Sequence, residues 1–268
     1  MNPMQVVART PKNNCRECGY PTCLAFGVAV TATGVDPRRC PHLNLAGLEI
    51  QVAGIDLEDG ARQRDLALVE HLKGKVAGAD FATLAPRLGA GYNPGTPAAM
   101  TFAYLGQEVV LGKEGILIDN REPEDPRDQI LLYNYVHSGG GLAPELAWLG
   151  LESLPNSIAK VRTLATYCEA PLARLFSSQP AERAIAIAAL AGGAPSANPG
   201  ATLTFIFQVL PRLPQQVIFW AEDSEDGFDA RVKILFDQNV LNFLDLESLV
   251  FSGERLAERL AALLTEMA

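Results

Sequence analysis

Four of the five cysteines crowd into one short stretch near the amino terminus, with the spacing C-x2-C-x4-C-x16-C. They are Cys15, Cys18, Cys23 and Cys40. The first twenty residues lack the apolar segment of a secretory signal, so we expect a cytoplasmic chain whose thiols stay reduced. Crowded cysteines in such a chain indicate metal ligation rather than disulfides, and four thiolates suit either a zinc ion or an iron–sulfur cluster.

The spacing favours a cubane 4Fe–4S cluster over zinc. Four-cysteine zinc sites usually come as two C-x2-C turns, and this segment has only one. A third cysteine nearby and a distant fourth suit a cubane cluster. Each cysteine of a cubane binds a different iron at a separate corner, so the four ligands lie farther apart than the ligands of a single ion. Cys40 precedes Pro41, as many cluster-binding cysteines precede proline. A zinc site and an empty site remain the alternatives.

The residues between the cysteines are compatible with a cluster. Gly19 lets the backbone turn close to inorganic sulfur, because it has no side chain. Pro21 predicts the start of a helix, with Cys23 in its first turn and backbone N–H groups facing a negatively charged cluster. Apolar residues of that helix, among them Leu24, Phe26 and Val28, are predicted to exclude water.

The run from Thr10 to Phe26, closing at Cys40-Pro41, resembles the small 4Fe–4S module of the corrinoid iron–sulfur protein large subunit. It is also similar to the module in the B subunit of the Rnf electron-transport complex. The resemblance covers about the first 45 residues. It implies that Cys15, Cys18, Cys23 and Cys40 hold one low-potential 4Fe–4S cluster, which passes single electrons in anaerobic metabolism.

Charge is distributed unevenly along the chain. Residues 1–45 carry five basic and two acidic side chains, a net charge of +3, whereas the whole chain of 268 residues has a net charge of −9. The acidic balance argues against a nucleic-acid partner. No stretch reaches the 18 or so consecutive apolar residues of a membrane-spanning helix, so we expect no membrane partner either.

The remaining chain predicts a larger α+β domain with antiparallel strands and a carboxy-terminal helix. We place the cluster module at 1–45, a helical linker and a Gly/Pro-rich loop at 46–98, and the α+β domain at 99–268. A Gly/Pro-rich loop is expected over 88–97, short strands over 100–118, and a three-stranded meander over 202–236 with turns at 211–214 and 224–227. Helices are expected at 126–137, within 157–191 with a break near Gln179-Pro180, and at 244–267.

The larger domain resembles, over about residues 60–265, a family known only as a domain of unknown function. The residues that carry the resemblance are Ile130–Tyr135, Val217–Asp223 and Val232–Asp237. Since that family has no assigned chemistry, the resemblance implies a domain layout alone.

Three further residues are candidates for chemistry. Cys168 is predicted to be a buried, inert helix cysteine, with a redox-active thiol as the alternative. His137 precedes Ser138-Gly139-Gly140-Gly141, which we interpret as a helix stop rather than a phosphate-binding loop. His137 is a candidate ligand or proton-transfer residue, and His42 is either a surface histidine or a residue that tunes the cluster.

The sequence thus predicts a 4Fe–4S protein that transfers one electron to a partner protein or cofactor. The −2 charge of an oxidised cluster with four thiolates nearly offsets the local +3, so an acidic electron carrier such as ferredoxin could approach there. A corrinoid protein is the more speculative partner. The alternatives are an iron–sulfur sensor of redox state or oxygen, and a ligand-binding protein or enzyme whose cluster is regulatory or structural.

Overall fold

The computed structural model describes residues 3–32, 34–45, 57–95 and 98–267. The predicted α+β class is confirmed, with antiparallel sheets, a carboxy-terminal helix and a small cysteine-rich amino-terminal region. The chain divides into two compact units, Met1–Ala67 and Leu68–Ala268. The first part of the predicted linker, residues 46–56, lies outside the described residues. Within the described ranges, no helix has both the length and the apolarity needed to cross a membrane.

The smaller unit is built on two short helices, α1 (Pro3–Val7) and α2 (Cys23–Ala32), followed by a 3-10 turn at Pro37–Arg39. The two helices pack closely at Gly27, where a Cβ atom would lie 2.7 Å from the Pro3 carbonyl oxygen. Its buried cluster is small. It consists of Val6, Phe26 and Leu43 together with Cys18 and Cys40.

The larger unit contains most of the helices and all of the strands in the described ranges. Helix α3 (Leu57–Ala77) begins before the division between the units and ends inside the larger one. The other helices are α4 (Phe81–Leu88), α5 (Pro126–Ser138), α6 (Ile158–Leu164), α7 (Ala170–Ser177), α8 (Ala181–Leu190) and α9 (Leu246–Glu266). A π-helical turn, Ala165–Glu169, joins α6 to α7. The predicted break near Gln179-Pro180 separates α7 from α8.

Two antiparallel sheets form the centre of this unit. The strands of the first sheet, in the order β1-β2-β3-β4, are β1 (Gly91–Asn93), β2 (Ala99–Tyr104), β3 (Gln107–Gly112) and β4 (Ile116–Ile118). The second sheet has the order β5-β9-β8-β7-β6, and its strands are β5 (Trp148–Gly150), β6 (Gly193–Pro195), β7 (Leu203–Leu210), β8 (Leu213–Trp220) and β9 (Arg231–Asp237). The predicted meander is therefore confirmed as β7-β8-β9, but it lies inside a five-stranded sheet.

The structure corrects two details of the predicted strands. The predicted loop at 88–97 contains β1, an exposed edge strand that pairs with β2 and has no alternating pattern to reveal it. The predicted turn at 211–214 ends earlier, because Pro214 lies within β8. Proline is tolerated there because the register between β7 and β8 shifts beside it, between Gln208 and Leu210.

Helices cover one face of the five-stranded sheet. Phe176 of α7 packs against Phe205 of β7 and Phe219 of β8, with both pairs of ring centroids 5.6 Å apart. Helix α9 contacts the same face through Ser252, whose hydroxyl accepts a hydrogen bond from the buried Gln215 side chain. Burial of these side chains is the main contribution to the stability of the unit.

A buried ion pair connects α5, α9 and β2. Arg255 donates two hydrogen bonds to Asp128, of 2.8 Å from Nε and 2.9 Å from the guanidinium end. The Tyr104 hydroxyl donates a third, of 2.7 Å, to the same carboxylate. Burial, reinforced by the Asp128 charge, raises the pKa of Tyr104 well above its usual value, so the phenol stays a neutral donor.

Replacing Asp128 by alanine is expected to lower the free energy of unfolding by about 2 kcal/mol, because the buried Tyr104 hydroxyl would lose its acceptor and the partly buried Arg255 would keep only Asp125 and Glu258. Lys160→Ala, which removes the partly exposed pair with Glu247, should cost less than about 1 kcal/mol. Urea denaturation followed by circular dichroism compares the two. Equal losses would show that the Asp128–Arg255 pair is no more important than a surface contact.

Candidate metal centre

The backbone around the first two cysteines has an unusual conformation. Lys12, Asn14 and Arg16 all have positive φ angles, of 57°, 51° and 66°, and Gly19 follows at 84°. Non-glycine residues rarely adopt this left-handed conformation, and clusters of them occur mainly at functional sites. A hydrogen bond of 2.8 Å from the Gly19 N–H to the Arg16 carbonyl closes the turn. The left-handed residues and this turn give residues 12–19, which include Cys15 and Cys18, a tightly curved backbone.

All four predicted ligand cysteines line one pocket, together with Thr10, Asn14 and Phe26. Cys18 and Cys40 are each 7% exposed, Cys23 is partly buried and Cys15 is exposed. None forms a disulfide. Four reduced thiols thus converge on one space, three of them at least partly shielded from solvent.

The four sulfurs are spread out within the pocket. Among the described residues, no three cysteine sulfurs lie within 4.8 Å of one another. One tight group of ligand atoms does occur at this spacing, and it joins Cys15 to the side chains of Glu17 and His42. The cysteines are therefore arranged around a volume rather than around a point.

Cys23 is held by two polar residues that the sequence analysis did not single out. Its N–H donates a 2.8 Å hydrogen bond to the Asn14 side chain. The Thr10 hydroxyl donates to the Val7 carbonyl at 2.9 Å, and hydrogen bonding from this hydroxyl lowers the pKa of the Cys23 thiol. The single hydroxyl proton serves one acceptor at a time, and a thiolate attracts it more strongly than a carbonyl does.

Two aromatic side chains, Tyr20 and Phe26, line the pocket, and a basic side chain lies against one of them. Phe26 of α2 is 1% exposed and packs against Tyr20, with the ring centroids 5.6 Å apart. The Arg39 guanidinium lies 5.6 Å from the centroid of the Tyr20 ring, within the range of a cation–π contact. The prediction that Phe26 excludes water agrees with its burial, whereas Leu24 and Val28 of the same helix are exposed.

Two known protein families match different parts of the chain. The profile described as Domain of unknown function (DUF3786) matches residues 80–259, more than half of the chain. The chain belongs to the DUF3786 family. A second profile, described as "Putative Fe-S cluster", matches residues 11–42 and so includes all four cysteines of the pocket. No curated protein and no solved structure gives a significant match.

The amino-terminal segment thus matches a family described as a "Putative Fe-S cluster" domain, ahead of the DUF3786 domain, and this match suggests iron–sulfur binding. The narrower likeness to the corrinoid protein and to the Rnf subunit stays a prediction. The residues also fit an iron–sulfur group. Thiolates are the standard ligands of such clusters, and the four present here surround a single volume.

The two other candidates lie in the DUF3786 domain. Cys168 is fully buried in the π-helical turn, and burial raises the pKa of its thiol well above the usual value. His137 is exposed on the last turn of α5, which Gly139 ends in a left-handed conformation, as predicted for a helix stop. In the described part of the chain, His137 belongs to no group of three or more side chains with metal-ligand spacing.

Alkylation of the metal-free protein by iodoacetamide should separate the two kinds of cysteine. Cys15 is expected to react within the native protein, because its thiol is exposed. Cys168 should react only after denaturation, since near pH 8 its buried thiol stays protonated and inaccessible. Peptide mass spectrometry gives both rates. Modification of native Cys168 as fast as that of Cys15 would contradict this assignment.

Proposed function

We propose that this protein is a one-electron redox protein that carries a single 4Fe–4S cluster on Cys15, Cys18, Cys23 and Cys40. The observation that supports it most directly is the arrangement of four reduced thiols around one pocket with their sulfurs spread apart. Each sulfur would bind a different iron, so the four thiolates surround the cluster instead of converging on one atom.

Zinc fits the same sulfurs less well. With Zn–S bonds of about 2.3 Å in a tetrahedron, the sulfurs of a zinc site lie roughly 3.8 Å apart. Within the described ranges, no three of these sulfurs approach even to 4.8 Å. Zinc binding would therefore require the sulfurs to move closer together.

When bound, the cluster accepts or donates one electron. The protein tunes that exchange through its own groups. The Thr10 hydroxyl offers a hydrogen bond to the Cys23 sulfur, and such bonds favour the more negative, reduced state. Phe26 keeps water from one side, while the exposed Cys15 leaves another side close to the surface.

The charge distribution supports an acidic electron carrier, such as ferredoxin, as the partner. Residues 1–45 have a net charge of +3, so an oxidised cluster of charge −2 would leave this segment near +1. The other residues carry 17 basic and 29 acidic side chains, a net charge of −12. An acidic carrier would be repelled by most of the chain and would be tolerated at the cluster. The DUF3786 domain would then recognise the electron acceptor or a small cofactor.

Anaerobically purified protein is expected to contain about four irons and four acid-labile sulfides per chain, and to give a spin-one-half EPR signal after reduction with dithionite. Cys18→Ala should abolish the signal, because it removes one of the shielded ligands. Cys168→Ala is the matched control and should keep the signal, because its thiol is buried in the other unit. One zinc per chain without sulfide would refute the proposal.

The rate of cluster reduction by reduced ferredoxin should depend on exposed cations near the cysteines. Arg38→Glu is expected to slow the bimolecular rate several-fold at low ionic strength, because it places a carboxylate two residues from Cys40. Arg174→Glu changes an exposed cation of the other unit and should leave the rate nearly unchanged. Stopped-flow spectroscopy over a range of salt concentrations measures both, and equal effects would argue against docking at the module.

A further inference from the structure

The group formed by Cys15, Glu17 and His42 needs an explanation beyond the four-cysteine site. Their ligand atoms lie within 4.8 Å of one another, and His42 Nε2 lies 2.9 Å from Glu17 Oε2. In the part of the chain that the structure describes, neither Cys18, Cys23 nor Cys40 belongs to such a group. One of the four cysteines is therefore singled out by two additional ligand-type side chains.

The chemistry of these side chains suits iron. Imidazole nitrogen replaces cysteine as an iron ligand in some iron–sulfur centres, where it raises the reduction potential. Histidines that bind metals commonly donate their second N–H to a carboxylate, which fixes the orientation of the ring. The Glu17 carboxylate can only accept a hydrogen bond, so this contact assigns the ring proton of a neutral His42 to Nε2, and Nδ1 is then the nitrogen with a lone pair that could bind a metal.

We propose that His42 is a replacement ligand for the iron that Cys15 binds, and that Glu17 is its positioning residue. This inference rests on the proposed 4Fe–4S cluster. In the exchange, the Fe–S bond to Cys15 breaks, a bond from iron to the His42 nitrogen forms, and the released thiolate takes a proton from water. The oxidation states of the cluster do not change.

The exposure of the cysteines indicates which iron would exchange its cysteine ligand for His42. Cys15 is exposed, whereas Cys18 and Cys40 are each 7% exposed. An exposed thiolate is the one most easily displaced, protonated or chemically modified. A neighbouring nitrogen ligand would keep the fourth iron in place when this thiolate is lost.

The test is the iron content and EPR spectrum of Cys15→Ala, reconstituted anaerobically beside the wild type. Cys15→Ala is expected to retain four irons and to be EPR-silent when oxidised. Cys15→Ala/His42→Ala should retain three irons and show the signal of an oxidised three-iron cluster. Cys15→Ala/His71→Ala is the matched control and should behave as Cys15→Ala does. If both double variants bind the same amount of iron as Cys15→Ala, the proposal is overturned.

A second measurement keeps all four cysteines, so it decides the question if Cys15→Ala binds no cluster. Loaded wild type, His42→Ala, Glu17→Gln and His71→Ala are treated with ferricyanide, and the appearance of the three-iron EPR signal is timed. Loss of the fourth iron should be several-fold faster in His42→Ala and Glu17→Gln than in the other two proteins. Equal rates in all four would overturn the proposal.

The two proposals fail in different ways. A wild-type protein without iron and sulfide would refute the cluster itself. A wild-type protein with four irons, combined with equal ferricyanide rates across the variants, would leave the cluster standing and remove only the role of His42.

Discussion

The amino-terminal unit depends on the convergence of four cysteine sulfurs on one pocket. Among its described residues few apolar side chains are buried, and two of the five members of its core cluster are the predicted ligands Cys18 and Cys40. A core of this size supplies little stability by itself, and independent chains below about 40 residues, close to the length of the segment that carries the four cysteines, usually need a metal or disulfides. Metal coordination would therefore contribute folding free energy as well as chemistry, and loss of the cluster would loosen the loop that holds the sulfurs.

The DUF3786 unit, in contrast, has a large apolar core. Its two sheets and their covering helices bury a large continuous core, and the Asp128–Arg255 pair with Tyr104 connects elements far apart in sequence. A larger domain with its own core and a small cysteine-rich segment are consistent with the proposed division of labour, in which the segment would exchange electrons and the DUF3786 domain would recognise what receives them.

Much of the fold could be predicted because its signals are local. The helices α5 and α9 and the strands β7, β8 and β9 each show their own hydrophobic period, and Gly139 ends α5 as predicted. Strands β1, β5 and β6 were missed, because each has three residues and exists only by pairing with a longer neighbour. Pro214 was assigned to a turn because no local feature reveals the irregular register that accommodates proline within a strand.

The sequence by itself determined the chemistry of the site, since the types and spacing of Cys15, Cys18, Cys23 and Cys40 restrict the possibilities to thiolate ligation. Tertiary structure alone decided which other residues take part. Thr10 and Asn14 reach Cys23 only because the intervening loop adopts left-handed conformations. Glu17 and His42, 25 positions apart, meet only when the loop and the segment after Cys40 fold against each other. A side chain's partners across such distances depend on the path of the backbone, which no local pattern encodes.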